Sequence, residues 1–206
     1  NPVHIVDHPL AQCQLAVLRD ETTPPEVFRR SLNRLAEILF LEGSRELETA
    51  VAAVKTPLAE TEGARLAKEV VLCPILRAGL GLLDAVLPMI PGARVAHIGL
   101  ARDEETARPE AYYAKFPAGV AEAEVFLLDP MLATGGSAVE AVSQLKAAGA
   151  SSIRFVCVVS CPQGIEALQK AHPDVGITTA AVDAGLNLQS YIVPGLGDAG
   201  DRYFGT

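Results

Sequence analysis

Residues Val125 to Ser137 read V-F-L-L-D-P-M-L-A-T-G-G-S: four apolar residues, an aspartate, then a turn rich in glycine and hydroxyls. Four apolar residues in a row suit a strand covered on both faces, as in a parallel sheet. Beyond the turn, Ser137 to Ala148 carries Val139, Val142 and Leu145 at helical spacing. The stretch therefore predicts strand, turn and helix in that order. Gly135 and Gly136 permit positive φ, and Thr134 to Ser137 offer closely spaced backbone N–H groups with two hydroxyls. An anion such as phosphate would meet unpaired amides and a favourable dipole at that helix start. The same letters also suit an ordinary strand-turn-helix junction. Asp129 weighs against it, because a carboxylate at a strand end accepts hydroxyl hydrogens and makes ribose beside phosphate a natural ligand pair.

Outward from this unit the chain keeps alternating. Apolar strands are predicted at Val70 to Ile75, Arg94 to Leu100, Val125 to Leu128, Ile153 to Val159 and Ile177 to Val182, with helical segments between them. The expected fold class is α/β: a mostly parallel sheet flanked by helices, with a projecting arm and an N-terminal helical segment. Thr23-Pro24-Pro25-Glu26 has the form of a capping box, predicting a helix to about Leu41 that stops near Gly43, and a second helix follows Ser44. Arg102 to Pro117 breaks the pattern with R-D-E-E-T-A-R-P and then Tyr112, Tyr113 and Phe116, the composition of an exposed arm or hairpin. No repeat, low-complexity tract or long linker divides the chain, so residues 1–206 are read as one domain.

With 206 residues, 50% hydrophobic and 20% charged, the chain can bury a sizeable core. A net charge of -8 argues against a nucleic-acid surface and leaves room for a local basic cleft that takes a small anion. Cys13, Cys73, Cys157 and Cys161 lack paired C-x-x-C spacing, Cys73 and Cys157 sit in apolar strand-like runs, and the four read as reduced core residues. No uncharged apolar run reaches the roughly 18 residues of a membrane span. Asn1 to Leu10 is no signal core either, so the expected setting is cytoplasmic, with no membrane partner.

Two further segments carry chemistry. Cys73 to Gly81, C-P-I-L-R-A-G-L-G, ends the first core strand with Arg77 and two glycines, which suits a diphosphate and equally a turn with a solvated arginine. Near the end, Tyr191 to Arg202 reads Y-I-V-P-G-L-G-D-A-G-D-R and contains a literal G-x-G-x-x-G. Only six residues follow Gly200, too few for the roughly 30-residue βαβ unit of a dinucleotide site. Gly79-Leu80-Gly81 likewise lacks the third glycine, so a dehydrogenase is disfavoured. The tail reads instead as a side-chain-poor loop whose peptide groups can approach a flat ligand, or as a compact turn.

Taken together, D-P-M-L-A-T-G-G-S at Asp129 to Ser137, Arg102 with the following acid and Glu105-Thr106, and Y-I-V-P-G-L-G-D-A-G-D resemble the uracil phosphoribosyltransferases. The resemblance runs from His8-Pro9-Leu10 and Leu18-Arg19 to Phe204-Gly205-Thr206. Two departures are visible: Pro130 stands where most phosphoribosyltransferases have a second acid, and Ala101 where a tyrosine commonly precedes the arm's arginine.

The resemblance implies conversion of uracil and phosphoribosyl diphosphate to UMP and diphosphate in pyrimidine salvage, with magnesium bound mainly through the substrate diphosphate and no metal site built by the protein alone. It assigns Arg77, Arg102, Asp129, Pro130, Met131, Leu132, Ala133, Thr134, Gly135, Gly136, Ser137 and Asp198 to phosphoribosyl diphosphate. Ile192, Gly197, Asp198 and Ala199 fall to uracil. Arg102 and Asp198 are the catalytic candidates: the first would neutralise departing charge, the second would take the N1 proton or serve the metal's water shell. A homodimer or homotetramer is implied, and some members respond to GTP. The rivals are a purine phosphoribosyltransferase, which shares the phosphate loop but needs another base pocket, and a regulator that binds phosphoribosyl ligands and RNA without turnover.

Overall fold

The computed structural model describes residues 3–102 and 109–206, with the backbone alone at residues 102, 109 and 110. The chain begins with β1 (Val3–Ile5), α1 (Pro9–Arg19) and α2 (Pro25–Gly43), followed by β2 (Thr49–Lys55) and β3 (Glu60–Leu66). Next come β4 (Val70–Leu76), α3 (Leu80–Val86), β5 (Arg94–Val95), β6 (His97–Arg102) and β7 (Pro109–Lys115). The second half is β8 (Glu124–Leu128), β9 (Met131–Leu132), α4 (Gly136–Ala147), β10 (Ser152–Ser160), α5 (Pro162–Ala171) and β11 (Gly176–Val182). The short β12 (Gly185–Leu186), β13 (Ile192–Val193) and α6 (Ala199–Phe204) complete it.

The main sheet runs β1-β11-β10-β8-β4-β6-β7, parallel except where β7 returns antiparallel on β6. Its central strands are buried on both sides, and the period-2 alternation of side chains deals their residues to two cores. Leu72, Phe126, Leu128, Val156 and Val158 meet one layer of helices. That layer takes Phe28, Leu32, Leu35, Ala36 and Leu39 from α2 at helical spacing, with the Phe40 ring edge-on to Phe126 at 4.8 Å. Val71, Cys73, Ile75, Val125, Leu127, Phe155 and Cys157 face the other way, onto Ala138, Ala141, Val142 and Leu145 of α4 and Leu168 of α5.

This layering locates the crevice. The adjacent parallel strands β4 and β8 send their following helices to opposite faces, α3 into the first core and α4 into the second. Where neighbouring connections diverge in this way, a cleft opens beyond the carboxyl ends of the strands. The loops after β4 and β8 are those carrying Arg77 and Asp129.

Two expectations need correction. Residues after Ser44 form a hairpin, not a helix: β2 and β3 pair antiparallel from Thr49↔Leu66 to Lys55↔Glu60. The run T-A-V-A-A-V-K places β-branched residues at Thr49, Val51 and Val54, and Thr56 then closes the turn by accepting the Leu58 and Ala59 amides on its hydroxyl. The capping box is not formed either. Pro24 is the N-cap of α2, without a side-chain bond, while the Thr23 hydroxyl donates to the Val17 carbonyl at 2.7 Å and ties α1 to α2. The four cysteines are free thiols, Cys13 exposed and the others buried. No helix among the described residues is long and apolar enough to cross a membrane.

Candidate active site

The loop from Asp129 to Ser137 is strapped to its neighbours by main-chain bonds. The Asp129 amide donates to the Val156 carbonyl at 3.2 Å, and the Pro130 carbonyl accepts from Val158 and Val159 at 2.9 and 3.1 Å. Proline supplies no amide here, and its carbonyl does the work of register instead. Met131 and Leu132 then form β9 against Val159 and Ser160 of β10. Cys161, ahead of α5, donates its amide to the Leu132 carbonyl at 3.3 Å and its thiol to the Ala133 carbonyl at 3.1 Å. Gly135 is the left-handed N-cap of α4 at φ 81°, the amides of the first turn have no partner within the helix, and that of Gly136 lies 3.5 Å from the Thr134 hydroxyl.

Asp129 is half-buried where β8 stops. Burial pushes its carboxyl up to about 7, only partly offset by a hydrogen bond from the Met131 amide. A carboxyl raised in the folded state keeps a proton that the unfolded chain has already released. The stability this contributes is full below the ordinary value of 3.8 and is lost as pH rises through about 7. We expect the unfolding free energy of the parent, relative to Asp129→Asn, to fall by at most about 4 kcal/mol across that window. Urea titrations at several pH values check this, and a pH-independent difference would count against the raised carboxyl.

The Arg77 loop abuts this one with no side chain between them. A Cβ on Gly79 would lie 2.4 Å from the Leu128 carbonyl oxygen and 2.7 Å from backbone atoms of Ile75. Only glycine allows that approach. The peptide bonds Leu76–Arg77 and Val193–Pro194 are cis. The Arg77 guanidinium is exposed, 3.4 Å from an Asp201 carboxylate oxygen and 5.7 Å from the centroid of the Phe204 ring.

Those partners belong to α6, which brings in the tail. Tyr203 packs where a Cβ on Gly81 would fall, its hydroxyl donates to Asp84 at 2.9 Å, and its carbonyl accepts from Arg29 at 2.9 Å. A Cβ on Gly200 would stand 3.6 Å from that of Ala78 in the Arg77 loop. Asp198 caps α6 by accepting the Asp201 amide at 2.8 Å and stays exposed. Ile192 is buried at 3% exposure and pairs with Leu186 across β12 and β13; Ala199 is also buried, while Gly197 is exposed with φ 77°.

The structure therefore brings Arg77, Asp129 to Ser137 and the Gly197 to Ala199 turn to the same edge of the sheet. Arg102 ends β6 with its backbone opposite Pro109. Its side chain, like Asp103 to Thr106 of the arm, lies outside the described residues. Sequence reading missed the groups that fix the tail. Asp183 and Arg19 hold Gly195, and Arg202 donates to the carbonyls of Leu18, Asp20 and Leu196 while lying 4.5 Å over the Phe28 ring. The one available signal was the buried-strand context of Asp183, directly after Val182. A cavity of about 430 Å³ lies elsewhere, at the amino-terminal ends of β10 and β11, lined by Arg45, Ser152, Arg154 and Thr178 among others.

With this geometry established, comparison with known proteins is decisive. The family model described as uracil phosphoribosyltransferase matches residues 5–206. The chain belongs to the uracil phosphoribosyltransferase family. A uracil phosphoribosyltransferase of Macrococcus caseolyticus is 52% identical over 205 residues, covering 99% of this chain and 98% of that one. A solved protein of Aquifex aeolicus superposes with a TM-score of 0.93 at 32% identity, covering 98% of each chain. The adenine phosphoribosyltransferase of Trypanosoma brucei shares the fold at a TM-score of 0.56 and 16% identity, covering 93% of this chain and 85% of that one. Within the uracil phosphoribosyltransferase family, then, the β4–β8 crevice is built on the same scaffold that phosphoribosyltransferases for other bases use.

Proposed function

We propose that the crevice beyond β4 and β8 is where this pentosyltransferase joins N1 of uracil to the anomeric carbon of phosphoribosyl diphosphate, giving UMP and diphosphate for pyrimidine salvage. The observation that carries the reading is the close packing of three segments: Gly79 of the Arg77 loop against Leu128 at the end of β8, and Gly200 at the start of α6 against Ala78. Sugar phosphate, diphosphate and base can then be held within bonding distance of one another.

In this reading the α4 amides and the hydroxyls of Thr134 and Ser137 take the 5-phosphate, with Pro130 to Ala133 shaping the loop and Gly135 and Gly136 keeping it open. Asp129 accepts the ribose hydroxyls, and Arg77 turns from Asp201 to the diphosphate. Charge separates as the diphosphate leaves, positive on the ribose and negative on the departing oxygens, and preorganised groups lower that barrier. Arg102 serves the departing oxygens. The main chain at Ile192, Gly197 and Ala199 reads uracil, and Asp198, exposed beside the base loop, takes the N1 proton or serves the water shell of the metal.

Among the described residues no group of three or more His, Cys, Asp or Glu side chains could hold a metal. The hard carboxylates of Asp198 and Asp201, both exposed at this edge, fit magnesium that arrives on the substrate and keeps its water. When bound, it supplies neutralising charge to the diphosphate. We place residues 1–206 in one catalytic domain, in the cytoplasm, as part of a homodimer or homotetramer. The β2–β3 ribbon supports the last point, since among the described residues its strands pair only with each other and expose Val51, Val54 and Leu58. A GTP effector is carried from the family alone.

Labelled uracil with phosphoribosyl diphosphate and magnesium should give labelled UMP. Arg102→Ala should lower that turnover roughly 10² to 10³-fold, the loss expected when one group stabilising transition-state charge is removed. An unchanged rate would remove Arg102 from the reaction.

A further inference from the structure

Arg19 closes α1 and Asp183 follows β11, and the two form a bidentate pair at 2.6 and 2.8 Å although 164 residues separate them. Asp183 is 8% exposed. Its Oδ2 also accepts the Gly195 amide at 2.8 Å, and the same Arg19 nitrogen that meets Asp183 donates to the Gly195 carbonyl at 2.7 Å. One ion pair thus grips both polar groups of a single residue. Gly195 needs that grip and no side chain. It sits at φ 58°, and a Cβ there would lie 2.1 Å from the Ile192 carbonyl oxygen. Two residues later begins the turn assigned above to the pyrimidine.

With the Arg19 side chain 25% exposed and Asp183 nearly buried, this pair is a poor device for stability, because solvent screening and desolvation consume most of the attraction. A planar guanidinium paired to a carboxylate is, however, a good device for fixing direction. We propose that Arg19 and Asp183 are positioning residues for base recognition: they set the height and tilt of the 192–199 loop against the bound sugar. This rests on the assignment of that loop to uracil. Neither side chain acts on the reacting atoms. They act through Gly195, while Arg202, bonded to the Leu196 carbonyl at 2.8 Å, fixes the next peptide.

The test compares Arg19→Lys, Asp183→Asn and the charge-free pair Arg19→Met with Asp183→Leu. Lysine keeps the charge but offers no planar fork to span Asp183 and Gly195. Each variant should raise KM for uracil roughly 10 to 10²-fold, the scale of a misplaced contact near 1 Å. Discrimination of uracil from cytosine should fall roughly tenfold or more, because the reading edges are no longer held. KM for phosphoribosyl diphosphate should rise clearly less than that for uracil, because the phosphate loop is held by β10 and only Asp198 of the 192–199 loop is assigned to that substrate. The double variant guards against unfolding of the single ones, as it leaves no unpaired buried charge. Wild-type uracil KM and discrimination in a folded double variant would overturn the proposal, as would equal rises in both KM values. A parent protein that fails to turn over uracil would instead sink the loop assignment itself.

Discussion

Alanine at Gly164 should lower kcat/KM for phosphoribosyl diphosphate by roughly 10²-fold, although this residue lies on α5 and outside the phosphate loop. The reason is steric. A Cβ at Gly164 would lie 2.4 Å from the Leu132 carbonyl oxygen and 2.6 Å from that of Ala133, where ordinary contact begins near 3.4 Å. Both obstacles are main chain and cannot rotate away. Either α5 retreats or the loop moves by about 1 Å, and a shift of that size in a positioned substrate carries the stated penalty. The two segments are also close at a second point, where a Cβ on Gly135 would be 2.9 Å from the Gly164 carbonyl oxygen. Alanine at Gly176, where nothing lies within 4 Å, is the matched control. Steady-state kinetics with phosphoribosyl diphosphate varied, beside thermal melts of both variants, decide the matter. Parental kcat/KM in Gly164→Ala would show that the loop is not held from behind.

Cytosine should be discriminated against by roughly 10⁴-fold or more in kcat/KM. Uracil presents an N3–H donor and two carbonyl acceptors, whereas cytosine reverses the pattern at N3 and C4. A hydroxyl or an amide side chain could turn to suit either base. Peptide groups cannot, since an N–H never accepts and a C=O never donates. Each mismatch leaves a buried group unpaired at a cost of about 1 to 3 kcal/mol, and two mismatches together give about 2 to 6 kcal/mol, the upper end of which corresponds to the roughly 10⁴-fold ratio. With Gly197 exposed and lacking a side chain, main chain is what this turn offers to the N3 and C4 edge, while Asp198 serves N1 in the proposed reading. Competition between the two bases for limiting phosphoribosyl diphosphate measures the ratio, and comparable turnover would mean that other groups read the base.

The sheet was legible because its central strands are covered on both sides. Burial of this kind writes uninterrupted apolar runs such as V-V-L-C-P-I-L in β4 and F-L-L in β8, and their bounds fell within a residue or two of prediction. The β2–β3 hairpin was not legible, because a ribbon exposed on both faces needs no apolar alternation, and the alanines of A-V-A-A-V favour a helix in isolation. The motif residues of the site could be read locally: Asp129 and the glycines of its loop form one continuous segment. What holds them could not. Arg19 and Asp183 are ordinary letters at the ends of a helix and a strand, and their partnership exists only once α1 lies against β11. Gly164 carries no motif in the sequence, and its role rests on its closeness to the Leu132 carbonyl. Backbone separations of that sort leave no periodicity to detect.

The tie between Arg19 and Gly195 also bears on how the molecule acquires its ligands. The phosphate loop is assembled from neighbours along β8, β10 and α5, so a half-folded chain could already hold a sugar phosphate. On the assignment proposed above, nucleobase recognition waits until the first helix docks against the final stretch of chain, and uracil affinity would then be a more demanding gauge of complete folding than affinity for its co-substrate.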